Sequence, residues 1–183
     1  VECIQIFDEV LSDLKLPGFS IKINNRKILS GIAKKSGAEE YLITIVTAID
    51  KLDKIGEQGV LDELRHKNVP EASIEILQPL LSFSGTNEEK MILMTKFLDG
   101  SSIGMSGLKE LQEVLDYINN LGLRSGRLEF DITLARGLNY YTGAIFEVAV
   151  DQVKMGSICG GGRYDNLTAQ FGLKDVSGIG ISF

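Results

Sequence analysis

The sequence predicts an α+β protein in which a mixed, mainly antiparallel sheet is interrupted by an all-helical segment. Three observations indicate this fold class. Residues 1–32 combine one helical pattern with one alternating run, residues 33–122 keep the spacing of amphipathic helices, and residues 123–183 return to alternation. We therefore expect the first and last segments to share one sheet and the middle segment to form an inserted helical subdomain.

The first segment predicts a helix that leads into a strand. Apolar residues at the spacing of one helix face are Ile4, Phe7, Leu11 and Leu14. Pro17-Gly18 ends this helix, and residues 19–24 then alternate between apolar and polar side chains, as in a half-buried strand. Asn24-Asn25 predicts a turn after the strand.

The middle segment predicts several short helices. The residues that mark helix ends are Gly56, Pro70, the capping box Thr86–Glu89, Ser106 and Gly122. Ser106 is the expected N-cap of the last helix, and Gly122 is its expected end. Short amphipathic helices cannot bury their apolar stripes alone, so we expect them to pack together.

The last segment predicts a central hairpin around an unusual loop. Alternating runs at 128–134 and 144–150 flank the stretch Arg136–Gly143. Arg136 has the parity of the apolar residues in the first run. Because a bare guanidinium in a core is costly, we expect the strand to bulge or end at Gly137 and to turn Arg136 outward.

The second strand of this hairpin has a more polar face. Tyr141 and Glu147 lie on it, and Gly143 between them leaves room over the sheet. A cation, a phenol and a carboxylate would then surround small residues. Taken alone, such a cluster is also typical of a hydrogen-bonded corner that binds no ligand.

Two glycine-rich stretches follow. Gly160, Gly161 and Gly162 are consecutive, which weakens a strand and indicates a bulge, a bend or close approach of a ligand. Nearer the end, apolar residues alternate with Gly178, Gly180 and Ser182. One face of that strand is almost bare, which suits a flat ring laid against the sheet.

Composition limits the possible functions. The 183 residues are 44% hydrophobic and 24% charged, as in ordinary globular proteins. The net charge of −6 does not support general nucleic-acid binding, so any such contact needs local basic patches. One histidine and two separated cysteines exclude a His- or Cys-based metal cluster, and no run is long enough to span a bilayer. The chain opens on Val1 and closes on Phe183 within an alternating run, so we expect it to be a piece of a longer cytoplasmic protein.

Three stretches in this order and spacing resemble the signature series of histidyl-tRNA synthetases: Arg136–Gly143, Ser157–Asp165 and Gly178–Phe183. The resemblance implies a class II synthetase sheet with a helical insertion. It also implies activation of histidine by ATP to histidyl-adenylate, with Mg²⁺ expected and no tightly bound cofactor, and transfer to tRNA(His). The family resemblance further suggests a homodimeric parent enzyme and no membrane association.

The resemblance assigns roles to individual residues. Arg136 matches the arginine that stabilises charge on the α-phosphate, which makes it the catalytic residue and a ligand of both substrates. An arginine suits this role because its planar fork binds phosphate and carboxylate oxygens together. Tyr141 matches the tyrosine that hydrogen-bonds the imidazole of histidine. The other residues assigned to substrate binding are Tyr140, Gly160, Gly161, Gly162 and Tyr164, and those assigned to ATP are Gly178 and Gly180. Arg163 and Asp165 are expected to form a structural ion pair.

The helical insertion of the family lies near the acceptor arm of the tRNA. The local basic candidates for that contact are Lys51, Lys54, Arg65, His66 and Lys67. The alternative, a solvated helix face without a partner, is the more common meaning of such charges.

A second class of function remains open. Some relatives of the family have lost catalysis and act as sensors or as the regulatory partner of ATP phosphoribosyltransferase. The long helical insertion, expected to be absent from that partner, and the intact Arg136–Gly143 stretch favour the enzyme. Asn139 stands where many family members have aspartate, and the first two family motifs lie outside this sequence.

Overall fold

The computed structural model describes residues 1–136, 140–150 and 156–183, and it contains one five-stranded sheet. The strands are β1 (Phe19–Asn25), β2 (Arg127–Phe130), β3 (Ala144–Val150), β4 (Cys159–Tyr164) and β5 (Gly178–Ser182). Their order is β2-β1-β3-β4-β5, with β1 and β2 parallel and all other neighbours antiparallel. The α+β class and the mixed, mainly antiparallel sheet are therefore confirmed.

Helices occupy most of the remaining chain. They are α1 (Glu2–Asp13), α2 (Arg26–Lys35), α3 (Leu42–Ile49), α4 (Leu52–His66), α5 (Glu71–Leu81), α6 (Asn87–Phe97), α7 (Ser102–Leu121) and α8 (Leu167–Gln170). A short 3₁₀ turn, Glu39–Tyr41, precedes α3. Between α2 and β2 the described chain contains helices and turns and no strand.

The sheet has one apolar and one polar face, because paired residues on neighbouring strands project to the same side. The apolar face carries fully buried residues such as Phe19, Ile21, Ile23, Phe146 and Val148. The polar face carries Lys22 and Glu147, which are cross-strand partners, and Gly160, the next partner along the row. This second face is the one on which the candidate site lies.

The predicted central hairpin is wrong, because β1 lies between β2 and β3 and pairs with both. The strand expected over 128–134 ends at Phe130. It ends there because the Asp131 carboxylate accepts hydrogen bonds from the Thr133 amide and hydroxyl, at 2.9 and 2.7 Å, which bends the backbone into a turn. Side-chain alternation identified the faces correctly but could not identify the neighbouring strand.

The turn expected at Asn24-Asn25 is also wrong. β1 continues to Asn25, whose side chain accepts a hydrogen bond from the Lys27 amide and caps α2. Asn24 is fully buried, and its amide nitrogen donates to the carbonyl oxygens of Ile132 and Leu134, at 3.1 and 2.9 Å. The two asparagines therefore tie β1 to a helix and to the loop that leads to the site.

The helix boundaries agree with some of the end signals. The capping box is confirmed, since Thr86 Oγ1 accepts from the Glu89 amide and Glu89 accepts from the Thr86 amide. Gly122, with a φ of 77°, ends α7 as expected. Ser106 is not an N-cap. The N-cap of α7 is Ser101, five residues earlier, whose Oγ accepts a hydrogen bond from the Gly104 amide. Gly56, with a φ of 70°, forms a kink inside α4.

Two helices join the helical segment to the sheet. α7 packs along α2 and against β1. Glycines permit this close approach, since a Cβ on Gly31 would lie 2.6 Å from the Cα of Gly104. The expected boundary after residue 32 falls inside α2. The division into 1–32, 33–122 and 123–183 stays a prediction.

Candidate functional site

A cleft of about 1040 Å³ lies between the polar face of the sheet and the corner that joins α3 to α4. From the sheet and its loops it is lined by Lys22, Asp131, Arg136, Glu147 and Ser157, and from the helical corner by Asp50, Asp53 and Lys54. The lining therefore contains both cations and carboxylates, and the volume of the cleft is large enough for a substrate of several rings.

Arg136 enters this cleft, as expected for an arginine turned out of the apolar core. Its guanidinium lies over Gly160, where an added Cβ would overlap it. The Nη2 atom donates to Ser157 Oγ at 3.3 Å, and Nε lies 3.6 Å from Glu147 Oε2. The backbone φ of Arg136 is 35°, in the left-handed region. Gly137, the expected end of the strand, lies outside the described residues.

Tyr140 and Tyr141 form a pair beside the arginine. Their ring centroids are 4.5 Å apart, and the hydroxyl of Tyr140 donates to that of Tyr141 at 3.4 Å. Tyr141 is buried, whereas Tyr140 is partly exposed. Burial raises the pKa of Tyr141 to about 12, and the neighbouring Tyr140 hydroxyl adds to the shift. At neutral pH this phenol is protonated and can both donate and accept a hydrogen bond.

Three glycines of β4 and β5, Gly162, Gly178 and Gly180, are covered by tyrosine side chains of the protein itself. The ring of Tyr141 would lie 2.7 Å from a Cβ on Gly162, and a Cβ on Gly178 would overlap the ring of Tyr164. The Tyr164 hydroxyl lies beside Gly180, 2.9 Å from the position of a Cβ. The bare face of β5 therefore accommodates Tyr164 itself.

Gly161 lies on the opposite side of the strand from its two neighbours. Its cross-strand partners are Phe146 and Ile181, both on the apolar face. A Cβ there would meet the backbone of β5, including the Ile181 Cα at 2.8 Å. Of the three consecutive glycines, Gly160 and Gly162 face the cleft side and Gly161 permits close strand packing.

The end of β4 is fixed to the start of β3. Arg163 and Asp165 form the expected ion pair, with 2.9 Å between Nε and Oδ1. Asp165 also accepts a hydrogen bond from Thr142 Oγ1 at 2.7 Å, and the Thr142 amide donates to the Arg163 carbonyl. These contacts hold the Tyr140–Tyr141 pair against β4.

Sequence reasoning missed one ion pair in the cleft. Lys22 Nζ lies 2.9 Å from Asp131 Oδ2. Burial raises the pKa of Asp131, but the charge of Lys22 and hydrogen bonds from Thr133 outweigh burial and leave the pKa below its ordinary value. The sequence indicated only that Lys22 occupies a polar position in the alternation of β1. It could not indicate Asp131 as the partner, because that contact depends on the parallel pairing of β1 with β2.

The basic residues proposed for tRNA contact differ in environment. Lys51 pairs with Glu63, and Arg65 pairs with Asp62 and Glu71. The remaining candidates, Lys54, His66 and Lys67, are exposed, and Lys54 lines the cleft. Two of these four lysine and arginine candidates, Lys51 and Arg65, therefore already have carboxylate partners within the helical segment.

Among the described residues, no group of three or more His, Cys, Asp or Glu side chains could hold a metal ion. No helix in the same residues has the length and apolar character needed to cross a bilayer.

The fold matches those of solved proteins. The crystal structure of histidyl-tRNA synthetase from Nostoc sp. PCC 7120 is similar with a TM-score of 0.85 and 34% identity, over 96% of this chain and 42% of that one. A structure described as an ATP phosphoribosyltransferase regulatory subunit/histidyl-tRNA synthetase, from Bacillus halodurans C, has a TM-score of 0.80 at 21% identity. The fold is thus that of the class II synthetases and their synthetase-like relatives.

Sequence comparison identifies the family within this class. The family model for histidyl-tRNA synthetase matches residues 1–183. The histidine-tRNA ligases of Flavobacterium johnsoniae and Christiangramia forsetii are 54% and 53% identical to the chain over its whole length. The chain belongs to the histidyl-tRNA synthetase family. It spans 39% and 40% of the length of these two relatives.

Proposed function

We propose that the parent protein of this chain activates histidine with ATP and transfers it to tRNA(His). The observation that carries this proposal is the joint placement of Arg136 and the Tyr140–Tyr141 pair on one sheet face, in a chain about half identical to histidine-tRNA ligases. The cleft beside them offers both charge for a phosphate and a neutral hydrogen-bonding group for a ring.

In the first step a carboxylate oxygen of histidine attacks the α-phosphorus of ATP. The bond from that phosphorus to the bridging oxygen breaks, and pyrophosphate leaves with the electron pair. Negative charge builds on the α-phosphate oxygens, and the Arg136 guanidinium stabilises it. In the second step a hydroxyl of the terminal adenosine of tRNA attacks the carbonyl carbon and gives up its proton to solvent. The bond from that carbon to the phosphate oxygen breaks, and AMP leaves with the electron pair.

Tyr141 would recognise the imidazole of histidine. Burial raises its pKa to about 12, so the phenol stays neutral well above the pH at which an exposed tyrosine ionises. A neutral phenol can hold one tautomer of a neutral imidazole. An amino acid without ring nitrogens would leave the buried hydroxyl unpaired, which supplies selectivity. Tyr140, Tyr164 and the stretch Gly160–Gly162 would complete the pocket wall and floor.

The remaining assignments follow from the family resemblance. Gly178 and Gly180 would lie near ATP, with the Tyr164 ring between them and the cleft. Mg²⁺ would enter with the phosphates of ATP, because this ion is usually held by one or two carboxylates together with substrate phosphates. The parent is expected to be a cytoplasmic homodimer, and tRNA contact by Lys51, Lys54, Arg65 and Lys67 remains part of the proposal.

The regulatory alternative is weaker. Its structural support is a likeness at 21% identity, which extends to the fold alone. A regulatory subunit would need no cation held over Gly160 of β4, whereas the Arg136 guanidinium occupies that position here.

The test is histidine-dependent exchange of pyrophosphate into ATP by the purified parent protein, followed by charging of tRNA(His). We expect both activities, and we expect Arg136→Ala to abolish exchange while the protein stays folded. A folded parent protein that shows no exchange with histidine, yet stimulates ATP phosphoribosyltransferase, would overturn the proposal in favour of the regulatory alternative.

A further inference from the structure

Glu147 lies beside Arg136 on the polar face of the sheet. It belongs to β3, with Gly160 of β4 as its cross-strand partner on one side and Lys22 of β1 on the other. Its Oε2 is 3.6 Å from Nε of Arg136, and each side chain is one-quarter exposed. Because water reaches this pair only in part, the charges attract more strongly than they would on an open surface.

Three contacts together fix the guanidinium of Arg136. Glu147 faces Nε, Ser157 accepts from Nη2, and the planar group lies across Gly160, where any Cβ would overlap it. The left-handed backbone at Arg136 is unfavourable for a residue other than glycine, so the surroundings must hold it there.

We propose that Glu147 is a positioning residue that holds Arg136 for adenylate formation, with Ser157 and Gly160 completing the seat. This inference rests on the proposed function. Glu147 engages the Nε edge, which leaves the fork of terminal nitrogens to meet phosphate and carboxylate oxygens. Among the described residues Nε has no hydrogen-bond acceptor, and the carboxylate at 3.6 Å is the group that can close on it when substrates bind.

The first experiment measures pyrophosphate exchange by the parent enzyme carrying Glu147→Gln. This change keeps the shape and removes the charge. We expect kcat to fall about 10- to 100-fold, because misplacement of a transition-state group by about 1 Å has an effect of that size. The KM for histidine should change less than about threefold, since the imidazole contacts remain. Glu147→Asp should restore part of kcat, because it restores the charge.

Glu129 provides a matched control. It lies on the same face across from Lys22, on the other side of β1, and pairs with Lys90 at 3.1 Å rather than with Arg136. Glu129→Gln should leave kcat and KM unchanged. Rates are expressed per active site, titrated by the burst of adenylate formation, so that loss of folded enzyme does not count as loss of turnover.

A double-mutant cycle then tests whether Glu147 acts through Arg136. In an Arg136→Lys background, Glu147→Gln should cause little further loss, because lysine has no Nε edge to hold. Additive losses, a kcat within twofold of wild type for Glu147→Gln, or a rise confined to the KM for histidine would each overturn the inference. A wild-type enzyme without exchange activity would instead overturn the proposed function, so the two failures are distinguishable.

Discussion

Among the described residues, Tyr141 is the one whose phenol we propose to recognise the imidazole of histidine. It is buried, and its hydroxyl accepts from Tyr140 at 3.4 Å, a long hydrogen bond that a stronger partner can displace. The adjacent Arg136 contributes a charged, planar fork rather than a neutral hydrogen-bonding group. The two residues should therefore respond differently to substitution.

We predict that Tyr141→Phe in the parent enzyme weakens histidine binding and leaves ATP affinity nearly unchanged. The change removes one buried hydrogen bond, worth about 1–3 kcal/mol when its ligand partner is left unsatisfied. The KM values for both substrates in pyrophosphate exchange provide the measurement. Tyr117→Phe is the control, since Tyr117 is exposed on α7 and does not line the cleft. Equal losses for histidine and ATP would mean that Tyr141 is structural.

Asp131 is expected to make stability depend on pH. Its folded-state pKa lies below the ordinary value, because Lys22 and Thr133 outweigh burial. The stabilisation is therefore present above the unfolded pKa of about 3.9 and is lost as pH falls through the folded pKa.

We predict that Asp131→Asn destabilises the parent protein at pH 7 by about 1–3 kcal/mol, and that the difference from wild type shrinks below about pH 4. Urea unfolding at several pH values gives this difference directly. Asp62→Asn is the control, because Asp62 pairs with Arg65 at an exposed position. A difference that stays constant down to pH 2 would show that the carboxylate charge contributes nothing.

Among the secondary-structure elements, α2 and α7 connect the helical segment to the sheet. α2 follows β1 directly, and α7 packs on both, so the pair sets the position of the helical segment over the sheet. The contact between α2 and α7 depends on glycines, because their missing side chains let the two backbones come close together.

We predict that Gly31→Ala destabilises the parent protein despite the higher helix propensity of alanine. The new Cβ would lie 2.6 Å from the Gly104 Cα, so the helices must separate, and overpacking of this kind costs about 1–3 kcal/mol. Lys34→Ala, at an exposed position of α2, should change stability by less than about 0.5 kcal/mol. A melting temperature for Gly31→Ala equal to or above wild type would contradict the close packing.

At the scale of the whole molecule, the surface around β5 is notable for its exposed apolar side chains. Large apolar residues are exposed there: Phe171, Leu173, Val176, Ile179 and Phe183. On the described chain β5 has only one neighbouring strand, β4. An uncovered edge with apolar side chains favours association between copies.

We predict that the isolated 183-residue chain is helical by circular dichroism, self-associates, and catalyses no histidine-dependent exchange. Adenylate formation needs the Arg136 cation held with further groups in one geometry, and the chain covers about 40% of its relatives' length. Sedimentation at several concentrations measures association, and Ile179→Lys should reduce it. Exchange activity clearly above that of a matched Arg136→Ala chain would contradict the prediction.

Local signals were sufficient for much of this molecule. Periodicity gave the α+β class and the polar face that holds Glu147, because which side a residue faces depends only on its own strand or helix. The Thr86 capping box was readable because it lies within four residues. The motif series led to Arg136 and the tyrosine pair because their order and spacing are properties of the chain.

Contacts between distant segments required the folded structure. Nothing in residues 128–150 indicates that β1 inserts between β2 and β3, since a strand's alternation does not specify its neighbour. The pairing of Lys22 with Asp131 follows from that strand order. The position of Gly160 under Arg136 and the ring of Tyr164 over Gly178 follow from the pairing of β4 with β3 and with β5. Their energies come from groups far apart in sequence, and only the packed sheet brings those groups within reach of each other.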